Sequence, residues 1–177
     1  MPDATGLELL AGDLRDALGE DAVLGTLHFR GQSTVLIEPA RVVDALEELR
    51  GRGYTQLRSL HGVDYYPEEP RFGVIYEMLD MQRLDRVALK VRVPLDAAVV
   101  PSATPSWPTV DFHEREVFDM FGVVFEGHPD LRRILMPEDY QGYPQRRDFP
   151  IGGEPVLFTK DHDRDYTRGV DIPQESR

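Results

Sequence analysis

Residues 72–93, FGVIYEMLDMQRLDRVALKVRV, show the clearest secondary-structure pattern in the sequence. The second half alternates strictly, and one side of it is formed by Val87, Leu89, Val91 and Val93. Alternation with a period of two is typical of a strand with one buried face and one solvated face. We therefore predict strands over residues 72–81 and 86–93, joined as a hairpin by a turn at residues 82–85.

Three more strands are predicted upstream of this hairpin. Residues 24–30 and 34–38 are rich in apolar and β-branched side chains, and Gly31, Gln32 and Ser33 between them form a predicted turn. A third strand covers residues 55–61.

Two helices are predicted among these strands. Thr5 and Glu8 have the spacing of a capping box, and the leucines that follow recur at helical spacing until Gly19. Pro39 is predicted to start a second helix, which glycines at 51 and 53 end. Its inward side chains are Val42, Val43, Leu46 and Leu49.

The block HEREVFDMFGVVFEGHPDLRRIL, residues 113–135, follows the hairpin and begins within a third predicted helix. Ser106 is the expected cap, Pro108 the expected start and Gly122 the expected end of this helix. Its predicted inward stripe is Val110, His113, Val117, Met120 and Phe121, with Glu114 and Phe118 in a neighbouring row. Arg115 can pair with Asp119 four residues later, and Glu116 and Asp119 place two carboxylates on one face.

The element order is therefore α-β-β-α-β-β-β-α, which predicts the α+β class with helices on one face of a mostly antiparallel sheet. From residue 127 onward, prolines punctuate a polar sequence with little periodicity. We predict a globular domain over residues 1–126 and an extended partner-docking arm over residues 127–177. A disordered tail is the alternative for the arm, and residues 160–177 remain open between the two.

Composition excludes several classes of function. The chain has 32 acidic and 20 basic Lys and Arg side chains and a net charge of -12, which opposes binding to nucleic acid. Its cysteine count is 0, so it can supply no thiolate to an iron-sulfur cluster or a structural zinc. No apolar run approaches the roughly 20 residues that span a bilayer, and no secretion signal opens the sequence.

The candidates for catalysis are weak. The zinc motif H-E-x-x-H fails because position 117 is Val, which leaves a looser metal set of His113, Glu116 and His128. The carboxylates of the block can act as an acid and a base, or form ion pairs with Arg115, Arg132 and Arg133, which is the simpler interpretation. The sequence contains no P-loop. Arginines 132, 133, 146 and 147 suit a protein interface or an anionic ligand.

This block resembles the signature of the 30 kDa-type subunit of respiratory complex I, which is known in bacteria as the C subunit of NADH:quinone oxidoreductase. The resemblance rests on Trp107, Glu114, Arg115, Glu116, Asp119, Phe121, Gly122, Phe125, His128, Pro129, Leu131, Arg132, Arg133, Arg147, Asp148, Phe149 and Pro150. Pro108, Tyr143 and Pro144 extend it, and residues 61–67 and 71–94 show a weaker likeness. Phe112 stands where the family more often has Trp.

The resemblance implies a cofactor-free structural subunit in the peripheral arm of a proton-translocating enzyme. That subunit docks the 49 kDa-type subunit of the quinone site, and its signature residues are expected to bind the partner. FMN and iron-sulfur clusters in other subunits carry electrons from NADH to quinone. The expected location is the cytoplasmic face of the membrane, reached only through the complex. The alternatives are the same scaffold in a membrane-bound hydrogenase or other-donor dehydrogenase and, remotely, a metal-dependent hydrolase using His113, Glu116 and His128.

Overall fold

A five-stranded sheet organises the chain in a computed structural model that describes residues 2–150. The elements, in chain order, are α1 (Ala4–Leu18), β1 (Val23–Phe29), β2 (Gln32–Ile37), α2 (Val42–Gly51), β3 (Gln56–Asp64), β4 (Phe72–Asp80), β5 (Asp85–Val93), β6 (Val99–Pro101), α3 (Asp111–Phe121) and β7 (Val124–Glu126). The eight main elements follow the predicted order. The α+β class is confirmed.

The strands of the large sheet lie in the order β1-β2-β5-β4-β3. Every neighbouring pair is antiparallel except β2 and β5, which are parallel. The prediction of a mostly antiparallel sheet is therefore confirmed. This order leaves β1 and β3 at the two ends of the sheet.

One face of the sheet carries the core, as the alternation predicts. Val87, Leu89, Val91 and Val93 are at most 2% exposed. On β4 the alternating residues Phe72, Tyr76 and Met78 are fully buried. Each large apolar side chain contributes about 1.5–3 kcal/mol on burial. The helices pack against this face, where a Cβ at Gly62 on β3 would lie 2.6 Å from the ring of Phe121 on α3.

The β1–β2 turn is shorter than predicted. Arg30 and Gly31 form it with positive φ values of 50° and 75°. Gln32 and Ser33 belong to β2, where they pair with Phe29 and His28. Two consecutive positive φ angles match the twist of the flanking strands and close the hairpin with two residues.

The first helix begins two residues earlier than the capping-box pattern predicted. Asp3 is the cap, and its carboxylate accepts a hydrogen bond from the Gly6 amide at 2.7 Å. Thr5 lies inside α1, so its predicted capping role is wrong. A carboxylate before the first turn satisfies the same free amides that a threonine would.

The prolines at the starts of the other two helices each open a short 3-10 turn. Pro39–Arg41 precedes α2 and Pro108–Val110 precedes α3. No side chain caps α3, so the predicted cap at Ser106 is wrong. At the other end, Gly122 adopts φ 78° and its amide bonds the Phe118 carbonyl, as predicted.

A second sheet, which the sequence did not predict, joins the chain before and after α3. Its two parallel strands pair Val99–Pro101 with Val124–Glu126. The Ser102 amide extends the pairing with a hydrogen bond of 2.8 Å to the Glu126 carbonyl. This pairing holds residues 102–104 close to the helix.

Residues 127–150, here named the proximal arm, contain no helix or strand. They run back over the domain and contact it. The predicted boundary between residues 126 and 127 stays a prediction, and residues 151–177 of the predicted arm lie outside the described residues. No helix in the described part of the chain has both the length and the apolar character needed to cross a membrane.

Candidate functional site

Helix α3 places its three signature carboxylates in different environments. Glu114 and Asp119 are 0% exposed, whereas Glu116 faces solvent. The sequence predicted ion pairs with Arg115, Arg132 and Arg133 for all three. A fully buried carboxylate persists only when hydrogen bonds compensate its lost hydration. Glu114 and Asp119 therefore need donors inside the protein, whereas Glu116 does not.

Asp119 fastens the proximal arm to the helix. Its Oδ2 accepts hydrogen bonds from the amides of Ile134, Leu135 and Met136 at 3.0, 2.7 and 2.8 Å. Its Oδ1 accepts one from the Arg133 guanidinium at 2.7 Å. Burial would raise the pKa of Asp119, but these hydrogen bonds lower it below its ordinary value.

Arg133 links α3 to residues 140–143 of the proximal arm. Besides Asp119 it donates to the Gly142 carbonyl at 2.9 Å. Its guanidinium lies 5.8 Å from the ring centroid of Tyr140 and 5.3 Å from that of Tyr143. Planar stacking and forked hydrogen bonds are what arginine provides and lysine does not.

Arg115 does not pair with Asp119, and that prediction is wrong. Asp119 points inward to the amides, and Arg115 instead donates to the carbonyls of Arg132 and Arg133 at 3.2 and 3.3 Å. Its nearest carboxylate is Asp111 at 4.0 Å. Arg115 therefore supports the same turn of the proximal arm from the other side.

A second anchor joins the end of the proximal arm to Asp64 at the end of β3 and to Arg71, directly before β4. Arg71 is 3% exposed and bonds Asp64 through Nε at 2.9 Å and Nη2 at 2.8 Å. Its Nη1 also donates to Asp148 at 2.9 Å, and the Arg147 amide donates to Asp64 at 2.8 Å. Burial would raise the pKa of Asp64, but hydrogen bonds led by that from Arg71 hold it at about 2.

A third set of contacts closes the gap around Gly122. Arg146 donates to the Phe121 carbonyl at 2.8 Å, and its guanidinium lies 4.3 Å from the Tyr143 ring centroid. A Cβ at Gly122 would lie 2.6 Å from both Arg146 and Tyr143. Glycine is thus required here by its positive φ and by space.

Glu114 occupies a polar pocket inside the domain. Ser102 Oγ donates to it at 2.6 Å, the Ala103 amide at 2.7 Å and Thr104 Oγ1 at 3.1 Å. Burial raises its pKa despite these bonds. The predicted ion pairs of Glu114 with arginines are wrong, because these donors and not guanidinium groups surround its carboxylate.

The candidate metal set of His113, Glu116 and His128 is not assembled. His128 turns inward, with Nε2 3.9 Å from Glu114, while Glu116 is exposed. His113 is half-buried, in partial agreement with its predicted inward position. Within residues 2–150, no group of three His, Cys, Asp or Glu side chains has the geometry to hold a metal ion.

The remaining signature residues divide by exposure. Trp107 and Phe125 are buried in the core, and the Arg50 guanidinium lies 4.8 Å from the Trp107 ring centroid. Those partly buried are Arg115, Phe121, Gly122, His128, Leu131, Arg133 and Phe149. Those exposed are Glu116, Pro129, Arg132, Arg147, Asp148 and Pro150. Half-buried Phe149 stacks on Tyr140 with ring centroids 6.3 Å apart.

Sequence reasoning missed four members of the site. Asp64 and Arg71 bind the proximal arm, and Ser102 and Thr104 bind Glu114. The available signal for Arg71 was a charge directly before the strongly apolar strand β4, whereas Asp64 ends β3, whose mixed sequence gave no signal. The hydroxyl groups of Ser102 and Thr104 gave no sequence signal, since their acceptor, Glu114, lies 12 and 10 residues further along the chain.

Sequence comparison identifies relatives over most of the chain. The profile of the family described as the 30 Kd subunit of respiratory-chain NADH dehydrogenase matches residues 35–155. The C subunit of NADH-quinone oxidoreductase from Roseiflexus sp. (strain RS-1) is 46% identical over 169 residues, which cover 94% of each chain. The protein of the same name from Roseiflexus castenholzii is 50% identical over 149 residues, covering 82% of this chain and 86% of the relative.

Two solved structures are similar in fold. The trypsin-resistant fragment of Nqo5 has a TM-score of 0.61 and 30% identity, and the match covers 71% of this chain and 98% of the fragment. A chain of the membrane-bound sulfane sulfur reductase, an archaeal respiratory membrane complex, has a TM-score of 0.69 and 23% identity. That match covers 91% of this chain and 99% of the other, and it shows the fold alone.

Proposed function

Because this chain belongs to the family of the 30 kDa subunit of respiratory-chain NADH dehydrogenase, we propose that it is a cofactor-free structural subunit of a proton-translocating NADH:quinone oxidoreductase. Its task is to dock the 49 kDa-type subunit of the quinone site. Electrons pass from NADH through FMN and iron-sulfur clusters of other subunits to quinone, and this chain takes no direct part in their transfer.

The observation that carries the proposal is the set of hydrogen bonds around Asp119. Four donors occupy its carboxylate, and each belongs to the proximal arm. A carboxylate held in this way has little capacity left to move a proton or bind a substrate. Buried charged pairs can instead define a single geometry, which supports a positioning role for the signature.

The position of the proximal arm creates a surface suited to a protein partner. Leu135 is 60% exposed and Phe112 on α3 is 61% exposed. A cleft of about 200 Å³ lies between α3, β3 and the proximal arm, and Glu116 lines it. Glu116 has no hydrogen-bond or ion-pair partner within residues 2–150. Apolar side chains beside a free charge suit a recognition surface with a specific orientation.

The signature residues then have two roles. The exposed ones, Glu116 and Arg132 among them, contact the 49 kDa-type subunit directly. The buried ones, such as Glu114 and Asp119, position the proximal arm without touching the partner. Mutating either group weakens assembly, but only the buried group also lowers the stability of the chain by itself.

The placement of the chain follows from its proposed partners. We expect it in the peripheral arm, at the cytoplasmic face of the membrane, with membrane contact only through the complex. Its net charge of -12 suits neighbours with basic surfaces.

Gentle purification of the tagged chain from native membranes tests the proposal. We expect companion subunits, FMN, iron-sulfur signals and NADH:quinone reductase activity in the eluate. An iron-containing assembly that oxidises another donor would overturn the NADH assignment and keep the scaffold role. Recovery of the chain alone, with bound metal or hydrolytic activity, would contradict both.

A further inference from the structure

Strand β1 has an unpaired outer edge. It is the first strand in the sheet order and pairs only with β2. No other backbone hydrogen bond joins residues 24–29 to any residue in the range 2–150. An edge of this kind presents a row of amides and carbonyls that can pair with another strand.

This edge also exposes three large apolar side chains. Leu24 is 60% exposed, Leu27 52% and Phe29 61%. Thr26 lies on the face that α1 covers, since its hydroxyl donates to Glu8 of that helix. Because neighbouring side chains alternate in a strand, Leu27 and Phe29 lie on the opposite, uncovered face.

Charge is nearly absent from the hairpin that β1 and β2 form. Residues 22–37 contain no Asp or Glu, and Arg30 is their one formal charge, in a chain with 32 acidic side chains. Edge strands of soluble proteins are usually protected by charged side chains or prolines, and β1 has neither. The Arg30 guanidinium lies 5.2 Å from the Phe29 ring centroid and has no carboxylate partner within residues 2–150.

We propose that the outer edge of β1 receives an extended segment of another subunit of the complex. That segment adds a strand to the sheet through main-chain hydrogen bonds, as in β-strand addition. Its apolar side chains cover Leu27 and Phe29, and a carboxylate on it meets Arg30. The inference rests on the proposed function, which supplies the neighbouring subunits.

The chemistry of the edge favours a different subunit over a second copy of this chain. A second copy pairing through the same hairpin would bring no carboxylate, because residues 22–37 contain none. Arg30 would then be placed at an apolar interface without a counter-charge, which is unfavourable. A partner strand with an Asp or Glu removes that cost.

Site-specific photo-crosslinking in intact membranes tests this interface. A photo-reactive residue replaces Leu27 in one variant and Leu84 in a matched control, since Leu84 is 73% exposed on the β4–β5 turn. The chain is then isolated under denaturing conditions, and the attached peptide is sequenced. We expect the Leu27 position to capture one peptide of another subunit, with alternating apolar residues and an Asp or Glu. The Leu84 position should not capture that peptide.

Charge substitutions measure the contribution of the edge to assembly. Leu27→Lys should lower the recovery of partner subunits about tenfold, because a charge in an apolar contact is a strong repulsive element. Leu84→Lys should change recovery by less than about twofold, as expected away from an interface. Arg30→Glu should also lower recovery, and reversing the captured carboxylate to Lys should restore it. Unchanged thermal unfolding of the isolated Leu27→Lys chain excludes misfolding.

Several results would overturn the inference. Capture of residues 151–177 of the same chain, or of a second copy, would assign the edge to another occupant. Equal recovery with Leu27→Lys and Leu84→Lys would show that the edge is not an interface. If the unmodified chain retains its partner subunits in that case, the proposed function stands and this inference alone fails. If the unmodified chain recovers no partner, both fail.

Discussion

Asp119→Asn should release the proximal arm while leaving the sheet intact. The substitution keeps the size of the side chain and removes its charge. Three backbone amides and the Arg133 guanidinium then lose the anion to which they donate. The amide group of asparagine also directs a donor toward donors, so at least part of the set is left unsatisfied.

The expected loss of stability follows from this geometry. Removing one partner of a buried ion pair costs about 3–5 kcal/mol. The lower end applies here because the Arg133 side chain is 13% exposed and keeps its bond to the Gly142 carbonyl. We therefore expect Asp119→Asn to lower the free energy of unfolding by about 3 kcal/mol.

The matched control is Glu116→Gln, which removes the same charge from the exposed face of the same helix. Without a partner in residues 2–150, Glu116 should contribute less than about 0.5 kcal/mol. Urea unfolding of both variants gives the difference. Hydrogen exchange should show lost protection at the amides of Ile134, Leu135 and Met136 in Asp119→Asn alone. Equal stability of the two variants, or unchanged exchange at these amides, would show that Asp119 does not hold the proximal arm.

Three further predictions concern packing and pH. A Cβ at Gly62 would lie 2.6 Å from Phe121, so Gly62→Ala should lower the free energy of unfolding by about 1–3 kcal/mol. Gly25→Ala, with nothing within 4 Å, is the control, and equal urea midpoints would contradict the packing argument. The folded pKa of Asp64, at about 2, is below the unfolded value of about 3.9. Asp64 therefore stabilises the fold above about pH 4 and loses this effect as the pH falls toward 2. Asp64→Asn should make the free energy of unfolding less dependent on pH in this acid range. An unchanged dependence on pH would contradict the low pKa of Asp64. Burial raises the pKa of Glu114. Its protonated carboxyl group therefore stabilises the fold at low pH, and this stabilisation is lost as the pH rises through the folded pKa. Relative to wild type, Glu114→Gln should gain stability as the pH rises above about 4.3, and parallel profiles would contradict this.

The sheet and its helices were predictable because their signals are local. Alternation in residues 86–93 identified β5 and its buried face, and the order of elements gave the class. Gly122 marked the end of α3 because few other residues adopt its backbone conformation. The strands β6 and β7, with three residues each, are too short to show a period.

The buried carboxylates were not predictable from periodicity. Helical spacing placed Glu114 in a row with Phe118 and suggested an ion pair between Asp119 and Arg115. The donors that hydrogen-bond these two buried carboxylates come instead from other segments of the chain. Residues 102–104 supply those of Glu114, and residues 133–136 supply those of Asp119. The contact of Arg71 with Asp148 spans 77 residues and has no sequence pattern that would reveal it.

The family resemblance identified the signature residues of the site but could not assign their roles. It grouped Glu114, Glu116 and Asp119 as one partner-binding set, whereas their environments differ in burial and in donors. Whether the exposed members contact the 49 kDa-type subunit stays a prediction. Only a complex containing both chains tests it.

Turnover per assembled complex in Arg133→Ala tests whether the chain positions its partner or takes part in the chemistry. The complex is quantified by its FMN content, and NADH:quinone reductase activity is divided by that amount. Arg58→Ala, an exposed arginine on β3, serves as the control. A positioning role predicts that Arg133→Ala lowers the amount of assembled complex, while turnover per FMN stays within about twofold of wild type, the range expected when no transition-state contact is lost. Normal assembly with lost turnover would contradict the account and indicate that the chain takes part in the chemistry.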